Sequence, residues 1–178
     1  LRQFDDERIL RLSYRGAPQT VAVIRDAALR SQDDYRPRLL AEAVCQHLRS
    51  KDYLSEILAL NNFCWGHARY MQDPRTVELV QAPVEIIKQL QTGYVPQLDC
   101  DDFAGFECGL GLAVGREVRL ATVAFADMFY KGQRQYSHVF AQMKEPRSNA
   151  WITCDPVAGV DTAKMLNRVK AVRFWPVA

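Results

Sequence analysis

The spacing of apolar residues changes period once along this chain, near Leu98, and that change limits the folds open to it. Before Leu98 the apolar positions recur at helical spacing. Val21, Ile24 and Ala28 lie within Thr20–Ser31. Leu39, Leu40, Ala43, Val44, Cys45 and Leu48 run up to His47–Arg49, and Leu54, Ile57, Leu58, Leu60 and Trp65 lie within Tyr53–Tyr70. Pro37 suits a helix start, where its missing N–H costs nothing. Asp73-Pro74 breaks the third stretch, Pro83 opens a helix over Val84–Gln91, and Gly93 closes it. A short strand over Ile9–Tyr14 and a turn at Gly16–Pro18 precede all of these. After Leu98 comes a helix over Asp99–Val114, closed by Gly115. Four β-rich segments follow: Val118–Phe125, Tyr136–Met143, Trp151–Asp155 and Val169–Trp175. Helices first and strands after predict an α+β fold, with N-terminal helices packed on a mostly antiparallel sheet. Residues 1–75 read as a helical N-terminal part and 76–178 as the core that carries the chemistry, the two expected to form one compact domain.

Composition narrows the function classes. A chain of 178 residues can bury a core without staples, and 48% hydrophobic with 25% charged residues is a globular balance. A net charge of +2, with Lys and Arg scattered, gives no footprint for nucleic acid. No apolar run is long enough to span a bilayer. No signal-peptide pattern is visible, although the chain opens on Leu1 and residues in front of it stay open. Five cysteines, an odd number, fit neither a disulfide framework nor a zinc knuckle and point to a reducing interior.

Cys100 differs from the other four because Asp99, Asp101 and Asp102 surround it. Asp99 is a good N-cap, and Asp102 three positions on gives a pattern like a capping box. Cys100 then takes the first helical position, where unpaired N–H groups and the helix dipole favour thiolate. The flanking carboxylates act against this, so an imidazolium is needed nearby. His138 lies on the predicted strand Tyr136–Met143, and Asp155 ends the next one. A hairpin symmetric about Pro146–Arg147 sets His138 directly opposite Asp155, close enough for the carboxylate to orient the ring. The plain alternatives are a buried cysteine at a helix start, a structural strand histidine and an aspartate that begins a turn with Pro156. Asp99, Asp101 and Asp102 also suggest a metal cluster. Neighbours on a helix diverge, however, so no metal is expected. Gly109, Gly111 and Gly115 form no phosphate loop, and close packing explains them better.

Three separated segments, in this order, resemble the transglutaminase-like superfamily of papain-like thiol enzymes. They are Asp99-Cys100-Asp101-Asp102-Phe103-Ala104, Tyr136-Ser137-His138-Val139 and Trp151-Ile152-Thr153-Cys154-Asp155-Pro156. The region Tyr70–Pro83, with Glu78-Leu79-Val80-Gln81-Ala82-Pro83, is similar to versions found in tailed phages and prophages. The resemblance implies a papain/transglutaminase-like core and a Cys100–His138–Asp155 triad that works through a thioester on peptide or isopeptide amide bonds. It further implies Gln81 as an oxyanion donor, a protein or peptide substrate, no cofactor, no nucleic acid and no membrane. The expected location is the cytoplasm of a bacterial host or a virion. The alternative it leaves is a catalytically silent structural or assembly protein of a phage particle, partnered by other phage structural proteins. Val80 and Gln81 stand where animal transglutaminases carry an oxyanion-side tryptophan, and Leu98 stands where many relatives have glycine. The first departure weighs against cross-linking and leaves hydrolysis more open; the second is expected to narrow or reshape the cleft.

Overall fold

Helix α5 (Cys100–Ala113) is buried from Asp101 to Gly111. A helix that is apolar on every side must be covered on every side, and the chain covers this one in two layers. On one side lie α1 (Ala17–Arg30), α2 (Tyr35–Cys45) and α3 (Tyr53–His67). On the other lies a four-stranded antiparallel sheet in the order β10-β5-β8-β9, formed by β5 (Val118–Ala124), β8 (His138–Lys144), β9 (Trp151–Cys154) and β10 (Ala171–Pro176). The computed structural model describes residues 9–12, 17–74, 78–157 and 162–178. The fold is α+β, as the change of period predicts.

The core is continuous across the two layers. Ile24, Ala41, Ile57 and Leu60 from the helices meet Phe103, Phe106 and Leu110 of α5, which meet Leu120, Ala141 and Met143 of the sheet. The far face of the sheet carries a smaller cluster of Ala121, Val123 and Phe140. Met165 of α6 (Thr162–Asn167) and Val169 pack on it. Strands β5 and β8 are therefore covered on both faces, and their centres are apolar runs rather than clean alternations.

Local signals account for the helix limits. Asp34 caps α2 by accepting from Arg36 N, and Asp52 caps α3 by accepting from Ser55 N. Pro83 takes the first turn of α4 (Pro83–Gln91). Gly93 (φ 78°) and Gly115 (φ 72°) adopt the left-handed conformation just beyond α4 and α5. One local expectation changes: α1 begins at Ala17, so Pro18 lies in its first turn rather than in a turn before it. Tyr14 and Gly16, which closed the expected first strand and opened that turn, lie outside the described residues.

Three short pairings escape the sequence reading. Strand β1 (Ile9–Leu12) pairs antiparallel with β3 (Glu78–Gln81), and β2 (Arg69–Tyr70) pairs parallel with β4 (Gln97–Leu98). β6 (Phe129–Tyr130) and β7 (Gln133–Arg134) form a small hairpin just before β8. The β2–β4 pair ends at Leu98, two residues before Cys100, and Tyr70 lines the same cleft as Cys100.

The β8–β9 register also differs from the expected one. Cys154 pairs with Ala141 and Trp151 with Lys144, which places the turn centre between Arg147 and Ser148. Glu145 fixes this geometry. Its carboxylate accepts from Arg147 N (3.0 Å) and Ser148 N (2.6 Å), and its own N–H donates to Ala150 O (2.8 Å). Asn149 closes the turn at φ 57°. Asp155 therefore does not sit directly opposite His138. It follows the last paired residue and reaches the ring diagonally, from the same face.

Candidate active site

Asp99 ends the extended approach to α5 and caps it, its Oδ1 accepting from Asp101 N (3.1 Å) and Asp102 N (3.5 Å). Cys100 is the first helical residue, half-buried, with its sulfur in a cleft of about 280 Å³. The expected capping box forms, because the Asp102 carboxylate also accepts from the Asp99 backbone N–H. The same carboxylate is shared with β3: its Oδ1 accepts from Gln81 N (2.6 Å) and its Oδ2 from Gln81 Nε2 (3.0 Å).

His138 opens β8 and lines the same cleft as Cys100. The backbone N–H of the next residue, Val139, donates to the Cys100 sulfur. The imidazole stacks against Phe125 (centroids 6.3 Å apart) and lies tilted against Phe140 (6.1 Å). Its Nε2 lies 2.7 Å from Asp155 Oδ2, with side-chain exposures of 11% for His138 and 1% for Asp155. A carboxylate only accepts, so this contact puts the ring proton on Nε2 and leaves Nδ1 as the basic nitrogen. The structure thus gathers Cys100 and His138 at one cleft and puts Asp155 behind the histidine.

Gln81 goes elsewhere. Its amide donates to Gln97 O (3.0 Å) and Asp102 Oδ2 (3.0 Å), and its Oε1 accepts from Gln89 Nε2 (2.8 Å). Both amide protons are engaged, and Gln81 is not among the described residues that line the cleft. It ties β3 to α4 and α5, and the oxyanion role expected for it finds no geometric support.

Electrostatically the site is acidic. Burial pushes the Cys100 thiol well above its usual 9.0, and the charges of Asp99 and Asp101 push it further; the Val139 N–H acts in the opposite direction. Burial also raises Asp101 strongly, helped by the adjoining Asp99 carboxyl. It lifts Asp102 to about 7 despite the Gln81 donors. Asp73 and Glu78 line the cleft and are raised by burial and by neighbouring carboxylates, although Leu79 N donates to Asp73. One further carboxyl was not anticipated. Glu107, on α5, is fully buried with no hydrogen-bond partner among the described residues on either oxygen, and burial and then Asp155 hold it well above 4.5. Nothing in the local sequence distinguishes it from a solvated helix glutamate.

As for metals, Asp99, Asp101 and Asp102 each offer an oxygen, and these atoms lie within 4.8 Å of one another. The expected divergence therefore fails, because Asp99 is the cap and folds over the first turn. Both oxygens of Asp102 already accept from Gln81, however, and Oδ1 of Asp99 serves the cap. All five cysteines are free thiols. No helix among the described residues is long and apolar enough to cross a membrane.

No family model matches the chain, and no curated protein matches it. Among solved structures, the fold is similar to that of a protein from Cytophaga hutchinsonii described as a "putative cysteine protease". The TM-score is 0.50 at 16% identity, covering 82% of this chain and 47% of the other, so this chain spans about half that protein's length. At this identity the likeness establishes the fold alone: over the matched region this chain shares the α+β architecture of that protein.

Proposed function

We propose that this protein is a thiol-dependent hydrolase or acyltransferase acting on peptide or isopeptide amide bonds, with Cys100 as nucleophile, His138 as base and Asp155 as orienter. The observation that carries this reading is the 2.7 Å contact from His138 Nε2 to Asp155, which leaves Nδ1 for a cleft shared with Cys100. At rest the thiol keeps its proton, because burial and the flanking carboxylates hold it on sulfur. His138 then acts as a general base during attack rather than as half of a standing ion pair. Nδ1 takes the thiol proton as sulfur bonds to the carbonyl carbon. The Nδ1 proton then passes to the leaving nitrogen as the C–N bond breaks, leaving a thioester on Cys100. Water or an amine attacks next, giving its proton to Nδ1, and Cys100 leaves as the restored thiol. The backbone N–H of Cys100 at the helix start is the oxyanion donor in this reading.

The raised thiol also favours a second reading, a catalytically silent protein that keeps the fold, of which a structural or assembly protein of a phage particle is the form the sequence resemblance suggests. Acylation separates the two. With p-nitrophenyl acetate, stoichiometric acetylation of Cys100, read by peptide mass mapping, is expected to fall about 100-fold or more in His138→Ala. Acetylation of Cys100 no faster than that of Cys45, or equal in both proteins, contradicts the enzyme reading.

A further inference from the structure

The cleft beside Cys100 is built from one sign of charge. Asp73, Glu78, Asp99 and Asp101 line it, and no Lys or Arg among the described residues does. Nor does any described Lys or Arg form an ion pair with these four. The donors they have are few. Glu78 accepts from the Thr20 hydroxyl at 3.4 Å, Asp73 from Leu79 N, and Asp99 from the first turn of α5.

Asp101 makes the arrangement more than a patch of acid. It is 1% exposed, and among the described residues no N–H or hydroxyl donates to either carboxylate oxygen. Its polar neighbours are the carboxyls of Glu78 and Asp99. A buried carboxyl facing two others needs either a proton or a cation. The remaining walls fit a cation as well: Tyr70 and Tyr136 line the same cleft, and aromatic faces attract ammonium and guanidinium groups. At about 280 Å³ the space lies near the lower end for small-ligand pockets, suited to one side chain.

We infer that the substrate carries an ammonium or guanidinium group next to the carbonyl that Cys100 attacks, held by Glu78 and Asp73 with Asp101 behind them. This specificity rests on Cys100 being the nucleophile, as proposed above. It makes Lys- or Arg-bearing peptides, or branched peptides with a free amine, the substrate class. The cation does a second thing. Set among these carboxylates, it offsets the charge that keeps the Cys100 proton in place, so binding and activation are coupled.

The test uses two thiol reagents of one shape and opposite charge, ethyltrimethylammonium and ethylsulfonate methanethiosulfonates. Each leaves a mixed disulfide on Cys100 and releases methanesulfinate. Rates at Cys100 are read by peptide mapping, divided by the neutral iodoacetamide rate, with Cys45 as the internal reference. The cation-to-anion ratio is expected to be at least about tenfold larger at Cys100 than at Cys45. It should fall toward the Cys45 value with added salt, and in the pair Glu78→Gln, Asp73→Asn. The salt series in the wild-type protein keeps the test valid where the variants fold poorly. A ratio at Cys100 equal to that at Cys45, or unmoved by salt, overturns the inference. So does protection of Cys100 from the cationic reagent by millimolar calcium but not by lysine amide, which assigns the cleft to a metal. The iodoacetamide rate judges the nucleophile itself. A rate indifferent to His138 would sink the catalytic reading whatever the charge ratio.

Discussion

Glycine-to-alanine substitutions along α5 should split sharply by position, although all three glycines occupy one helix. A Cβ at Gly109 would lie 2.8 Å from Pro83 Cγ, 2.9 Å from Pro83 Cβ and 3.0 Å from Ser31 Oγ. At Gly111 it would meet Val118 Cγ1 at 2.9 Å and Met143 Sδ at 3.0 Å. At Gly105 the nearest atom is Ile24 Cγ2, at 3.4 Å. Alanine gains about 1 kcal/mol over glycine in a helix interior. Overpacking a filled core costs about 1–3 kcal/mol. Pro83 is a rigid ring anchored in α4 and cannot turn aside, so Gly109→Ala should lose on balance by up to about 2 kcal/mol. Gly111→Ala should lose less, because the Met143 end is flexible. Gly105→Ala should be neutral or gain up to about 1 kcal/mol. The assay is urea unfolding at one pH for the three variants and the parent. The expected order is Gly105→Ala, then Gly111→Ala, then Gly109→Ala, with about 1–3 kcal/mol between the extremes. Equal midpoints for Gly105→Ala and Gly109→Ala would refute the claim that Gly109 is there for close approach.

Two further outcomes follow from the buried carboxyls. The folded state holds Glu107 protonated above its ordinary 4.5, so the stability this provides is full below that value and is lost as pH rises through the folded pKa. Glu107→Gln should therefore gain on the parent at up to roughly 1.4 kcal/mol per pH unit as pH rises above the ordinary 4.5 toward the folded pKa, and parallel urea midpoints on raising the pH would contradict this. Gln81→Ala removes donors from Gln97 O and Asp102, and should cost about 1–3 kcal/mol of stability while changing Cys100 acylation only slightly. A 100–1,000-fold loss of acylation with normal stability would restore its oxyanion role.

How much of this was legible depends on the range of the interactions. Helices α2, α4 and α5 declare themselves through Pro37, Pro83, Asp99, Gly93 and Gly115, because caps and stops act within a turn. The nucleophile position at Cys100 follows from the same local chemistry, and β5, β8, β9 and β10 follow from their apolar content. Strand β3 was not legible: four residues, Glu78–Gln81, become a strand only because β1 pairs with them from far away in sequence. The β8–β9 register was misread because Glu145 and Asn149, rather than the proline, set the turn. Gln81 looked like an oxyanion donor while its partners Gln89, Gln97 and Asp102 were scattered along the chain. The carboxylate wall has the same origin, since Asp73 and Glu78 meet Asp99 and Asp101 only in the fold.

The central claim is that His138 removes the proton from Cys100. Its most direct test is the rate of Cys100 alkylation by iodoacetamide from pH 5 to 10, in the parent protein and in His138→Ala. The account predicts measurable reaction at pH 7 in the parent that falls about 100-fold or more in the variant. In the variant only the alkaline reaction of a thiol raised above 9.0 should be left. Superimposable pH profiles for the two proteins would contradict it, and would leave Cys100 as an ordinary buried thiol at a helix start.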